Sequence, residues 1–111
     1  MVAVDTIPVV AASSGNGVCW TLPDPGDLNV NVVRLEPGDE MADHVNDEVD
    51  VLYVALTGEA DLFVGDRHTS LRPGTVAHVP RGARRRLRAA SAFGYLSVHR
   101  RRPGPVIASR R

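Results

Sequence analysis

Turns that contain glycine and proline cut most of this chain into runs of four to eight residues, which constrains its fold more than any other feature. The runs are rich in Val, Leu, Tyr and Thr, residue types that favour extended structure. Turn sequences such as Pro37-Gly38, Gly65-Asp66 and Pro73-Gly74 separate them. No run has the length and period of a long amphipathic helix. The pattern is typical of an all-β sandwich or barrel.

The turn positions define eight predicted strands in a chain of 111 residues, a length typical of one domain. Residues 1–17 are expected to form a flexible arm, residues 18–102 the barrel, and residues 103–111 a mobile tail. The predicted strands are Val18–Leu22, Leu28–Leu35, Val51–Leu56, Ala60–Val64, His68–Leu71, Val76–Pro80, Arg84–Arg88 and Phe93–Arg100.

The charges are sorted along the chain although they sum to zero. All 13 acidic residues lie between Asp5 and Asp66, and all basic residues except Arg34 lie from Arg67 onward. Such sorting can mark a basic surface for nucleic acid. Strand pairing between the two halves offers a simpler interpretation, in which an acidic and an arginine-rich strand neutralise each other. We therefore expect no nucleic-acid partner.

The composition also bears on the compartment. Cys19 is the only cysteine, so no disulfide can form within the chain. No apolar run approaches the roughly 20 residues of a membrane helix. The first 20 residues contain no Lys or Arg, the usual start of a secretory signal. These features predict a soluble, cytoplasmic protein without a membrane partner.

The predicted strand Val51–Leu56 is apolar on both of its faces. A strand of this kind is buried on both sides. A barrel lumen covers one face, and the other face needs either a second sheet of the same chain or a partner subunit. We expect a homodimer, with a sandwich that covers both faces within one chain as the alternative.

Two segments bounded by glycine contain the most specific motifs. The first runs from Gly38 through His44 to Gly58, and the second from Gly74 through the Pro80-Arg81-Gly82 turn to Arg85. Their spacing resembles the two motifs of the cupin family, and in particular a small single-domain, cupin-2-like subgroup without a settled role. The resemblance implies an all-β double-stranded β-helix, or jelly-roll, barrel.

The resemblance also implies where a metal site would lie. Cupins commonly bind a metal through His-x-His and a Glu of the first motif and a His of the second motif. Here His44 occupies the first of these positions, Asn46 the second, Asp50 the Glu position and Arg85 the last. A guanidinium is always protonated and cannot coordinate a metal ion. We therefore expect no standard metal site.

Alternation along the predicted strands indicates the same location for the site, independently of the family resemblance. Side chains two residues apart on a strand share a face. His44, Asn46 and Asp50 share a phase with the apolar residue Leu52, which predicts that they face the lumen. Arg85 is likewise predicted to face inward, and its neighbours Arg84, Arg86 and Arg88 to face solvent. Asp50 is then the expected ion-pair partner of Arg85. A turn between Asn46 and Asp50 would break this phase.

Three functions are consistent with these residues. In the first, a small organic molecule, possibly an anion, binds in the lumen to the predicted site residues His44, Asn46, Asp50, His78 and Arg85. In the second, a metal-dependent oxygenase, isomerase or cyclase holds a divalent transition metal with His44, Asp50 and His78. In the third, the chain is a structural or partner-binding dimer. Whether the protein is an enzyme is left open.

Overall fold

A computed structural model describes residues 1–23 and 26–101, with only the backbone at His44. No helix among these residues is long and apolar enough to cross a membrane. Extended structure dominates the described chain, which confirms the all-β prediction. The elements are α1 (Thr6–Ala11), β1 (Gly17–Thr21), β2 (Leu28–Leu35), β3 (Glu40–Val45), β4 (Val51–Thr57), β5 (Ala60–Val64), β6 (Arg67–Leu71), β7 (Val76–Val79), β8 (Arg84–Ala89) and β9 (Phe93–Arg100).

The strands form two antiparallel sheets that pack face to face. The five-stranded sheet has the order β1-β2-β9-β4-β7, and the four-stranded sheet has the order β3-β8-β5-β6. The inward-facing side chains of both sheets make the core between them. This core includes Leu35, Val51, Tyr53, Ala55, Ala60, Leu62, Leu71, Val79, Leu87, Ala89, Phe93 and Tyr95.

Strand β3 is absent from the predicted strands because its acidic residues resemble a solvated loop. In the structure it pairs with β8, and its carboxylates meet arginines across the ladder. Arg84 lies 3.5 Å from Asp43, while Arg86 and Arg88 lie 3.6 and 3.4 Å from Glu40. The expected neutralisation of acidic and arginine-rich strands is therefore confirmed on the outer face of the four-stranded sheet.

The short helix α1 is a second element that the strand pattern does not predict. Its Val10 is buried and packs against Gly94 of β9. A Cβ atom at Gly94 would lie 2.6 Å from Val10 Cγ1 and 2.7 Å from the Thr57 hydroxyl. The predicted arm of residues 1–17 thus contains a helix that packs on the barrel. The predicted tail of residues 103–111 lies outside the described residues.

The outer face of the five-stranded sheet has an apolar centre beyond the part that α1 contacts. Val98 of β9 lies opposite Val30 and Leu52 on its two neighbouring strands. Leu52 is 39% exposed and Val76 of the edge strand is 60% exposed. These side chains are therefore accessible to solvent in the described chain.

Candidate functional site

Arg85 is the central residue of the candidate site. The side chains of β8 alternate between the core and the outer surface, as they do in a sheet with one buried face. Leu87 and Ala89 lie in the core, while Arg84 and Arg88 are exposed. Arg85 has the phase of the core residues and is only 1% exposed. Its predicted inward orientation is confirmed.

The guanidinium of Arg85 is not satisfied by the described part of the chain. Its Nε donates a hydrogen bond of 3.1 Å to the carbonyl oxygen of Ala83. The terminal nitrogens Nη1 and Nη2 are buried and have no hydrogen-bond partner among the described residues. A buried charge without a partner costs several kcal/mol, and most buried polar groups have partners. The site is therefore electrostatically complementary to an anion.

Two phenols and a thioether lie on the same inward face. The hydroxyl groups of Tyr53 and Tyr95 both approach the sulfur of Met41, at 3.7 and 3.9 Å. Burial raises the pKa of Tyr53, while the charge of Arg85 and a weak hydrogen-bonding contact from its side chain lower it. This contact does not satisfy the terminal nitrogens of Arg85, which lack hydrogen-bond geometry to any described residue. Burial, with a smaller contribution from Tyr53, raises the pKa of Tyr95. Both phenols are therefore neutral hydrogen-bonding groups at physiological pH.

Neither Tyr53 nor Met41 is among the site residues that the sequence predicts. No predicted strand includes Met41, and the phase that His44, Asn46 and Asp50 share with Leu52 leaves Tyr53 on the opposite face. Both residues belong to the inward face because of tertiary pairing: Met41 lies opposite Leu87 on β8. The thioether and phenol types alone contain no signal for this assignment.

The predicted position of Asp50 in the lumen, as the partner of Arg85, is wrong. Asp50 Oδ2 lies 2.9 Å from His78 Nε2, and Asp50 Oδ1 accepts a 2.9 Å hydrogen bond from the Arg81 N–H. Both Asp50 and His78 have side chains that are 55% exposed. The Arg81 N–H and then His78 lower the pKa of the Asp50 carboxyl. Asp50 and His78 thus form an exposed pair outside the lumen.

Asn46 explains why the predicted phase fails. Its Oδ1 accepts hydrogen bonds from the N–H groups of Glu48 and Val49, at 3.0 and 3.2 Å, which closes a tight turn. Its carbonyl oxygen accepts a 2.7 Å bond from the Gly82 N–H. The turn shifts the alternation of side chains in β4 by one residue, so that Val51 and every second residue after it face the core. Asn46 is buried, and its side-chain oxygen is engaged with the backbone.

The backbone register places His44 directly opposite Arg85 in the β3–β8 ladder. The side chain of His44 lies outside the described residues, so its role in binding stays a prediction. Of the five predicted site residues, the described structure therefore places Arg85 in the lumen, Asn46 in the adjoining turn, and Asp50 and His78 outside.

The described residues do not fit the metal site that the family resemblance implies. No group of three or more His, Cys, Asp or Glu residues among them is arranged to hold a metal ion. The side chain of Arg85 adds a fixed positive charge to the lumen, which disfavours a nearby divalent cation. Asp50 faces away from this charge. Two of the three predicted ligands, Asp50 and His78, thus lie outside the lumen.

Two cavities adjoin this region. One, of about 500 Å³, lies on the outer surface beside Asp50, and Glu48, Leu52 and Arg100 also line it. The other, of about 560 Å³, lies between the edge strands β6 and β7. We call the second one the β6/β7 cavity.

Comparison with known proteins agrees with this architecture. The protein TT1209 from Thermus thermophilus has 27% sequence identity and a TM-score of 0.76, with 93% of this chain and 100% of that chain covered. An uncharacterized conserved protein with a double-stranded β-helix domain from Klebsiella pneumoniae has 24% identity and a TM-score of 0.74, with 88% of each chain covered. KdgF from a Halomonas species has 15% identity and a TM-score of 0.70, with 76% and 77% covered.

No curated protein matches the chain. The model of the Cupin_2 family, described as a cupin domain, matches residues 31–99. This segment runs from the middle of β2 almost to the end of β9 and so includes most of both sheets and Arg85. Together with the jelly-roll arrangement of the two sheets, this match shows that the chain belongs to the Cupin_2 family of cupin domains.

Proposed function

We propose that this cupin binds a small organic anion in its barrel lumen and that Arg85 is the anchor. The observation that carries the proposal is the pair of buried terminal nitrogens of Arg85 that no described residue satisfies. A carboxylate matches the two parallel N–H donors of a guanidinium, and such charge-assisted pairs are stronger than neutral hydrogen bonds. An anion would therefore remove the largest electrostatic deficit in the described core.

The surroundings of Arg85 suit binding rather than an ion pair within the protein. Tyr53 and Tyr95 are neutral and buried, and no described carboxylate pairs with Arg85. A charge interaction in such apolar surroundings is stronger than in water. The proposal includes a neighbouring role for His44, which the register places opposite Arg85.

The experiment is an NMR titration of the protein with carboxylates, using Arg85→Met and Arg84→Met. Methionine conserves much of the length of the arginine side chain and removes its charge. We expect Arg85→Met to weaken carboxylate binding by at least tenfold. Arg84→Met, on the exposed side of the same strand, should leave the affinity within a factor of two. Full affinity in Arg85→Met would overturn the proposal.

A metal-dependent enzyme is the alternative that the family suggests. The separation of Asp50 and His78 from the lumen argues against it, because it leaves only His44 of the predicted set, at the ladder position opposite Arg85. Elemental analysis of protein purified without an affinity tag tests this alternative. Stoichiometric transition metal that is lost on His44→Ala substitution would favour the enzyme over the anion-binding protein.

A structural or partner-binding dimer is favoured by a separate observation, the apolar outer face of the five-stranded sheet. This face carries Leu28, Val30, Leu52, Val54, Leu96 and Val98, and the paired registers of β2, β9 and β4 make it continuous. We propose a second copy of this chain as its occupant. The centre of this face is apolar, and Arg100, Asp50 and His78 lie at its border. The apolar centre can therefore pack on an identical face without burying an unpaired charge.

A further inference from the structure

We infer that the ligand is a monocarboxylate with an apolar body, and that this body lies in the β6/β7 cavity while the carboxylate binds Arg85. This inference rests on the proposed function and specifies its substrate class. It depends on the chemistry of the cavity lining and on the position of that lining relative to Arg85.

The β6/β7 cavity has an apolar floor. Its volume of about 560 Å³ lies within the roughly 300–1,000 Å³ of typical small-molecule sites. Leu62, Val64 and Ala77 contribute inward-facing or half-buried apolar side chains. The complete lining is Leu62, Val64, Arg67, His68, Thr69, Thr75, Val76, Ala77, His78 and Pro80, and it includes no acidic residue.

The floor extends to the strand position next to Arg85. Val64 of β5 lies directly opposite Arg85 of β8. Directly opposed side chains in an antiparallel pair share a face, and their Cβ atoms lie about 4.5–5.5 Å apart. Val64 therefore both lines the cavity and lies beside Arg85 in the sheet. A ligand with its apolar body on Val64 would direct an attached carboxylate toward Arg85.

The rim of the cavity favours an anion. Arg67 is exposed on the rim and makes no ion pair with a described residue. An exposed cation of this kind attracts anions and raises their local concentration. The other cavity, on the outer surface, is lined by Glu48 and Asp50 together with two arginines. Acidic groups there make it the less suitable site for an anion.

The number of unsatisfied charges limits the ligand to one carboxylate. Arg85 is the one charged side chain that is buried among the described residues. The neighbouring cavity floor is aliphatic, so a second carboxylate would be moved from water into apolar surroundings without a partner. Such a transfer is strongly unfavourable. An aliphatic or monocyclic aromatic monocarboxylate satisfies both the cation and the floor.

A ligand series tests this class. The affinities of acetate, butanoate, hexanoate and succinate are measured by NMR titration on the wild-type protein. Each methylene buried on the floor should tighten binding by up to about fourfold, since its transfer contributes roughly 0.8 kcal/mol. Succinate should bind more weakly than butanoate, which has the same number of carbon atoms but one carboxylate.

Cavity variants test whether the apolar body of the ligand lies in the β6/β7 cavity. Ala77 lies opposite Tyr53 and borders the cavity floor. Ala77→Phe should fill the floor and weaken hexanoate binding at least tenfold, while acetate changes by less than twofold. Ser70→Phe is the matched control, because Ser70 is exposed on the same edge strand as the cavity but does not line it.

A structural measurement keeps the test decisive if Ala77→Phe does not fold. Hexanoate should shift the methyl NMR signals of Val64 and Ala77 in the wild-type protein and show intermolecular contacts to them. Equal affinities for acetate and hexanoate, or contacts only to the Asp50 cavity, would overturn this inference and leave anion binding at Arg85 intact. Absence of binding for every carboxylate would overturn the proposed function itself.

Discussion

The Nε of Arg85 donates its hydrogen bond to the carbonyl oxygen of Ala83, two residues earlier in the same chain. This local bond orients the guanidinium but leaves Nη1 and Nη2 buried without a described partner. Natural cores rarely keep such atoms, because the desolvation of a charge is not recovered by packing. A buried charge arranged in this way is expected to lower the stability of the protein.

The first prediction concerns stability in the absence of ligand. Arg85→Met should raise the free energy of unfolding by about 1–4 kcal/mol, the range found when buried ion pairs are replaced by apolar residues of similar volume. Urea denaturation of both proteins in anion-free buffer measures the change. Arg84→Met, at a largely exposed position, should stay within about 0.5 kcal/mol of the wild type. A less stable Arg85→Met protein would show that the guanidinium has a stabilising partner.

The second prediction concerns acid stability and the Asp50–His78 pair. The hydrogen bond from the Arg81 N–H, and then His78, lower the pKa of the Asp50 carboxyl below its ordinary value of 3.8. A lowered pKa in the folded state stabilises the protein above pH 3.8, and this stabilisation is lost as pH falls through the folded-state pKa.

Asp50→Asn should therefore be less stable than the wild type near neutral pH, and the difference should shrink as pH falls below 3.8. Urea denaturation at a series of pH values measures this. Asp66→Asn, in the exposed β5–β6 turn, is the control. A difference between Asp50→Asn and wild type that is constant from neutral to acid pH would contradict the prediction.

The third prediction concerns the docking of α1. Gly94→Ala should lower the free energy of unfolding by about 1–3 kcal/mol, because its Cβ would lie 2.6 Å from Val10 Cγ1. Val10→Ala removes the two γ-methyl groups and should relieve part of this overlap. The overlap of the new Cβ atom with the Thr57 hydroxyl should remain. A double-mutant cycle by urea denaturation measures the coupling. Strict additivity would mean that α1 does not pack on Gly94 in solution.

The fourth prediction concerns the apolar outer face of the five-stranded sheet. Leu52→Arg places a charge at the centre of this face and should convert a homodimer to a monomer, as measured by light scattering over a concentration series. Ser70→Arg adds the same charge to an exposed position on the other sheet and should leave the dimer unchanged. A wild-type protein that is monomeric at high concentration would exclude a second copy as the occupant of this face.

Much of the fold follows from local signals. The bounds of Leu28–Leu35, Ala60–Val64 and Phe93–Arg100 agree with β2, β5 and β9, because Gly, Pro and Asp mark the turns and the apolar runs between them favour extended structure. The elements that the pattern misses depend on other parts of the chain. Strand β3 requires the arginines of β8, and α1 requires the groove over Gly94.

The candidate site shows the same division. The inward orientation of Arg85 follows from simple alternation, because β8 is regular and its apolar residues mark the buried face. The orientation of Asp50 does not follow, because the turn that Asn46 closes changes the phase between β3 and β4.

The amino-acid sequence by itself determined that this chain is an all-β cupin and that a guanidinium stands in its lumen. Turn residues and period-two alternation are local properties, and each is written in a few consecutive residues. Only the tertiary structure decided which groups surround that guanidinium. The turn at Asn46 exchanges the two faces of β4, which places Asp50 on the outer surface and Tyr53 in the core. The pairing of β5 with β8 places Val64 beside Arg85.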